Sequence, residues 1–217
     1  MRTFWAALAV AVFAPLGWSA PGPVVQLDFS NPGLSPSHWT LTIYPDGDGH
    51  FRSEPVSQTA EGKTEIEPLA VDREIRMTPQ FAQRVFQTAQ RHNMFNGQCD
   101  SHLKVAFQGW KKLSYSGPEG DGICEFNYSK DKEIQDLSDS LVSVANTVTE
   151  GARLENLLHH DPLGLDKEME YLVEAAADGR AQQLCTIGGI LEHLAEDENV
   201  LDRVRKRARA LLAKAER

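Results

Sequence analysis

The chain is poor in cysteine, with three among 217 residues, and poor in positive charge, with 22 Lys and Arg against 31 Asp and Glu. Its formal net charge of -9 argues against a nucleic-acid surface as the main function, because neutralising phosphates takes clustered cations. Long apolar runs are missing too. The longest, Trp5 to Leu16, has about a dozen residues, too few to cross a hydrocarbon core of ~30 Å. There is no Gly-x-Ser-x-Gly elbow, no His-Glu-x-x-His, no phosphate loop and no dinucleotide glycine fingerprint. Carboxylates are plentiful, but spacing singles out no catalytic pair. Missing motifs do not by themselves exclude an enzyme, since active-site groups can lie far apart in sequence. With 41% hydrophobic residues the chain has ample material for a core, which sets disorder aside.

What is present begins with a leader. Arg2, the apolar Trp5 to Leu16 and the small-residue zone Gly17-Trp18-Ser19-Ala20 have the order of a secretory signal peptide. Cleavage after Ser19 places Gly17 at the third position back, giving a leader over 1–19. Its removal takes Arg2 and leaves a charge of -9 - 1 = -10. No cysteine follows the apolar run, so a lipid anchor is not expected. The predicted protein is soluble and exported, periplasmic or extracellular, without a transmembrane segment. In an oxidising compartment two cysteines can pair. Cys99 and Cys124 flank one hairpin region and are the leading pair, although three pairings are open. Cys185, inside Leu184-Cys185-Thr186-Ile187, reads as a small core residue in a helical pattern.

Residues 20–37 carry four prolines and two glycines and read as a linker or arm, with a short strand at Val24 to Leu27 as an option. Trp39, Leu41 and Ile43 alternate with polar neighbours, the period of a half-buried strand, and Pro45-Asp46-Gly47-Asp48-Gly49 is dense turn chemistry before Phe51. A loop over Gln58 to Lys63 and a strand over Asp72 to Met77 follow. Thr78-Pro79 opens a helix, the threonine capping and the proline lacking only a donor the first turn does not use. Phe81, Val85 and Ala89 form its apolar stripe. A second hairpin is predicted over Val105 to Tyr115 and Ile123 to Tyr128, with a loop over 117–122. Ser129 is the expected cap of a long helix carrying Ile134, Leu137, Leu141 and Val148. Residues 38–150 are therefore an α+β domain, an antiparallel sheet with two helices on one face. Residues 151–217 read as a small helical subdomain, HEAT-like at most, over Leu154 to His159, Leu165 to Ala177, Leu184 to Leu194 and Val200 to Ala213.

Each candidate site has a plain structural counterpart. Asp46 to His50 presents oxygens for calcium, but the twelfth position from Asp46 is Ser57 rather than a glutamate, which favours a turn. His92, Cys99, His102 and Cys124 have the ligand types of zinc, in competition with a disulfide. His159 and His160, before Asp161-Pro162, suit a helix C-terminus better than a shared ion, because neighbours on a helix point about 100° apart. Arg203, Arg205, Lys206, Arg207 and Arg209 form a basic run able to meet an anionic surface, though Asp202 and Lys206 are an i,i+4 pair and a solvated face is favoured. Trp110, beside Gly109, is the aromatic candidate for a binding surface: alternation puts it opposite Leu113 and Tyr115, and a bulge at Gly109 would turn it inward. No metal or cofactor is expected.

The run from His38 to Glu150 resembles exported bacterial domains without assigned activity, in which two sheet hairpins each precede a helix. The likeness is carried by Leu41-Thr42-Ile43-Tyr44-Pro45-Asp46-Gly47-Asp48-Gly49, the Phe81 to Phe95 helix, and Lys112-Leu113-Ser114-Tyr115 before Glu133 to Val148. It covers about half the chain and implies no functional residue. The expected function is a non-enzymatic module of the cell envelope that meets a protein partner, with a metal-dependent or hydrolytic enzyme using His102, His159 and His160 as the alternative. An exposed Trp110 beside other apolar groups would favour the first. A pocket gathering two of the histidines with an acid would favour the second.

Overall fold

The computed structural model describes residues 22–54 and 70–215. The leader read over 1–19 and the loop read over 58–63 lie outside them. Alternation builds the sheet. Val25, Leu27 and Phe29 share one face of β1 (Val24–Ser30), and Trp39, Leu41 and Ile43 share it on β2 (His38–Ile43). Phe51 of β3 (Asp48–Ser53), Ile75 of β4 (Asp72–Arg76), Leu113 and Tyr115 of β5 (Trp110–Gly117), and Cys124 and Phe126 of β6 (Gly120–Phe126) complete it. Because successive side chains face opposite ways, a single register serves all six strands. Arg73, Phe51, Leu41, Leu27, Leu113 and Cys124 stand in one row. The order is β4-β3-β2-β1-β5-β6, with every neighbouring pair antiparallel. Helices α1 (Pro79–Arg91) and α2 (Lys132–His160) supply the opposing apolar side chains of the core, which is the expected α+β class.

Several boundaries differ from the sequence reading. The arm expected over 20–37 contains β1, which pairs with both β2 and β5 in the middle of the sheet. Its prolines flank the strand rather than interrupt it, so the ladder loses no donor. The strand expected from Val105 starts only at Trp110, because Gly109 takes φ +113°, where a Cβ would run into the Phe29 ring. The loop expected over 117–122 shrinks to Pro118-Glu119, since Gly117 pairs directly with Gly120. Asp131, not Ser129, caps α2: its carboxylate accepts the backbone N–H groups of Glu133 and Ile134. Ser129 instead accepts from the Asp131 N–H one step upstream.

The largest difference is α2 itself. It runs unbroken for 29 residues through Gly151, so the boundary read at 150/151 falls inside one helix. The two hydrophobic clusters nevertheless divide almost there, with Ala152 in the sheet-side core and Leu154 in the other. Gly151 is small because Ile187 needs the space: a Cβ on it would press on the Ile187 methyl and lie 3.0 Å from its Cβ. Beyond α2 come α3 (Leu165–Asp178), a 3-10 turn (Leu184–Ile187), α4 (Gly188–Glu196) and α5 (Asp202–Ala215). The helix read from Leu184 is thus a 3-10 turn followed by α4, and Cys185 sits half-buried on that turn.

Polar contacts fasten the helices to the sheet. Arg73, on the inner face of β4 as its alternation with Ile75 and Met77 predicts, donates to both carboxylate oxygens of Glu155 on α2 at 2.9 and 2.7 Å. Gln183 Oε1 accepts from the backbone N–H and the hydroxyl of Thr78 at 2.8 and 3.0 Å. Thr78 in turn caps α1 by accepting from Phe81 N–H at 3.3 Å. Among the described residues, no helix is long and apolar enough to cross a membrane.

Candidate functional site

The outer face of the sheet is polar and internally paired over most of its area. Asp72, Arg52, Thr40, Asp28, Lys112 and Glu125 form one cross-strand row of mixed charge. His38 lies between Asp28 and Glu54 at 3.2 and 2.8 Å, and His50 reaches Asp72 at 2.7 Å. Such a face is solvated, and its charges satisfy one another. Among the described strand residues its exposed apolar side chains include Ile123 and, at the start of β5, Trp110, while Val24 at the start of β1 is half-buried.

Trp110 is 56% exposed, and Phe107, at 50%, packs edge-on against it with ring centroids 6.2 Å apart and planes at 65°. Leu103 and Val105 are exposed on the same approach to β5. The outward orientation follows from the register, in which Trp110 stands opposite Ser30 on the outer face while Lys111 and Leu113 take the inner one. The Gly109 conformation turns the chain before the strand begins and does not swing the indole inward. An edge-to-face aromatic pair contributes about 1 kcal/mol beyond its burial, enough to bias both rings towards one arrangement while they face water.

The segment that carries this ridge is held at both ends. Upstream, Cys99 stands at disulfide distance from Cys124 on β6, with sulfurs 2.08 Å apart, and Ser101 N–H donates to the Tyr128 carbonyl at 2.9 Å. Downstream, the Asn127 side chain accepts from Gln108 N–H at 2.7 Å and donates to the Ala106 carbonyl at 3.2 Å. Lys111 completes the support from below. It is 3% exposed, lies over the Phe126 ring and donates to the Asn127 carbonyl at 3.1 Å, and burial lowers its pKa. At the far end of the hairpin Tyr115 donates to Glu119, and burial together with that acid pushes the phenol up to about 12. The sequence pattern pointed to Trp110 but placed Val105 and Phe107 in a strand. Asn127 and Lys111 carried no local signal; an amide at the end of β6 facing a glycine-broken approach was the nearest clue.

The other candidates are placed as follows. Each residue of the basic run has a partner within the chain. Arg203 and Arg207 both engage Asp166 of α3 at 2.5 and 2.7 Å, Arg205 and Lys206 engage Asp202, and Arg209 donates to the Ala195 carbonyl. The run clamps α5 to α3 and α4. His92 bridges the end of α1 to Asp131 and Glu133 at 3.4 and 3.0 Å. His102 pairs with Asp100, and His159 and His160 meet each other, exposed, in the last turn of α2. With Cys99 and Cys124 facing each other, the two-cysteine, two-histidine ligand set is not assembled, and no group of three metal-binding side chains occurs among the described residues. Asp46 and Gly47 lie in the turn between β2 and β3, closed by Tyr44 N–H to the Asp48 carbonyl at 2.8 Å, and Asp48 to His50 begin β3.

The described residues form two open clefts of note. One, of about 230 Å³, lies between α1 and α2 and is lined by Arg84, Thr88, Arg91, Glu133 and Asp136. The other, of about 320 Å³, lies by the start of α1 and includes Thr78, Gln183, Cys185 and Lys214. Neither has a histidine in its wall. Burial raises the pKa of the Cys185 thiol, which keeps it a poor nucleophile. Comparison with protein-family models, curated proteins and solved structures finds no match.

Proposed function

We propose that the chain is an exported, non-enzymatic module of the cell envelope that binds a protein partner through the ridge of Phe107 and Trp110. The observation that carries this reading is the pairing of two half-exposed aromatic rings on a segment braced from three sides. Large exposed aromatics are the side chains that dominate binding energy when a partner covers them. Bracing removes much of the ordering cost that a free loop would pay on association. The leader and the facing cysteines support an oxidising, extracytoplasmic setting. The polar, self-paired remainder of the sheet face supports confining the contact to the Trp110 end.

The test is site-specific photo-crosslinking in the native host, with the probe placed at Phe107 in one strain and at Thr42 on the polar face in another. A discrete protein adduct at Phe107, absent at Thr42 and lost with Trp110→Ala, is the expected result. The same adducts from both positions, or none from Phe107, would overturn the reading.

A further inference from the structure

Glu150 of α2 is 8% exposed and interacts with Glu168 of α3. Arg153, one turn along, places Nη1 3.2 Å from Glu150 Oε1 and 3.2 Å from Glu168 Oε1 on α3. Two acids and one guanidinium thus share a largely buried site between the helices, with Glu168 18% and Arg153 25% exposed at the side chain. Among the described residues, the charged groups acting on Glu150 are Glu168 and Arg153. The remaining ionisable groups of the neighbouring elements are, among the described residues, engaged elsewhere or exposed to water. Asp166 and Glu170 of α3 turn to Arg203 and Arg207 of α5. Glu192, His193 and Glu196 of α4 are exposed, and the 3-10 turn meets α2 with the apolar Ile187.

We propose that Glu150, Arg153 and Glu168 form a proton-operated latch that holds α3 on α2 while the carboxyl pair keeps one proton, and loosens α3 when that proton leaves to water. With Glu150 protonated, one of the two acids faces Arg153 as a carboxylate and the other as a neutral carboxyl group. Without it, two carboxylates compete for the Arg153 guanidinium in a largely buried site and repel each other. Burial, reinforced by the hydrogen bond to Glu168 and opposed by the charge of Arg153, pushes the Glu150 carboxyl up to about 8. Release uncovers the apolar seam of Leu165, Met169 and Leu172, which is buried against the second core.

Hydrogen exchange of the full chain, read by mass spectrometry and corrected for intrinsic rates, tests the latch. Between about pH 6.5 and pH 9, protection of the α3 peptides should fall roughly ten-fold more than protection of β1 and β5, and Glu150→Gln, which keeps a hydrogen-bond donor without a titrating proton, should remove that difference. An unchanged difference in Glu150→Gln, or equal loss in α3 and the sheet, would overturn the proposal. If that variant does not fold, carboxyl-carbon NMR of the wild-type chain decides. A Glu150 titration coinciding with the loss of α3 protection supports the latch, and an ordinary titration below about pH 6 refutes it.

Discussion

Replacing Gly151 by alanine sets two effects of opposite sign against each other. An alanine in a helix interior gains about 1 kcal/mol over glycine, because glycine loses more backbone freedom on folding. At this position the new methyl would overlap the Ile187 Cγ2 and stand 3.0 Å from its Cβ. Ile187 is β-branched and buried, so it cannot rotate its branch aside without an eclipsed rotamer or a shift of the 3-10 turn. Overpacking of this kind costs about 1–3 kcal/mol, and contact at the Cβ rather than a flexible tip places it near the upper end. The net expectation is a loss of about 2 kcal/mol, or a melting point lower by about 4–8 °C for a chain of this size. Equilibrium urea unfolding followed by circular dichroism measures it. In an Ile187→Ala background the Cγ2 overlap is gone and only the Cβ approach at 3.0 Å remains, so the same substitution should lose most of its cost and come close to neutral. Stabilisation by Gly151→Ala in the wild-type background would refute the packing of the 3-10 turn on an unbroken α2.

Two further outcomes follow from the same contacts. The Cys99 and Cys124 pair closes a segment of sequence separation 25, so Cys99→Ser with Cys124→Ser should lower stability by about 3 kcal/mol and raise amide exchange over 100–108; equal stability with and without the bridge would count against it. His38 is held above its ordinary value of 6.5, first by its hydrogen bond to Glu54 and then by Asp28, with burial opposing. Its contribution to stability is therefore complete below about pH 6.5 and is lost as the pH rises through the raised folded-state value, and His38→Gln should flatten that part of the stability profile; a profile unaffected by the substitution would show that the carboxylates do not hold the ring.

Local chemistry made some of this legible in the sequence. Alternation at Trp39, Leu41 and Ile43 and the Thr78-Pro79 start each act within a few residues, and both appear where the pattern put them. The strand β1 was obscured because prolines surround it, although Val25, Leu27 and Phe29 alternate as cleanly as β2 does. The opposite error occurred at Val105 and Phe107, where alternation also suits an extended segment outside the ladder. Gly151 looked like a break, since nothing near it in sequence announces that Ile187 fills the space above it. The basic run showed its i,i+4 pair with Asp202, but Asp166, which takes two of its arginines, is about ten helical turns away in sequence. Glu150 and Glu168 were invisible for the same reason: each is an ordinary helix acid until the fold brings them to one guanidinium.

The claim that the aromatic ridge is the working surface is tested most directly by the affinity of the crosslinked partner for three purified proteins: wild type, Phe107→Ala with Trp110→Ala, and Thr42→Ala. Binding should weaken at least about ten-fold in the double variant, as the loss of central aromatic anchors does elsewhere, and stay unchanged in Thr42→Ala. A double variant that folds normally and binds as tightly as the wild type would contradict it.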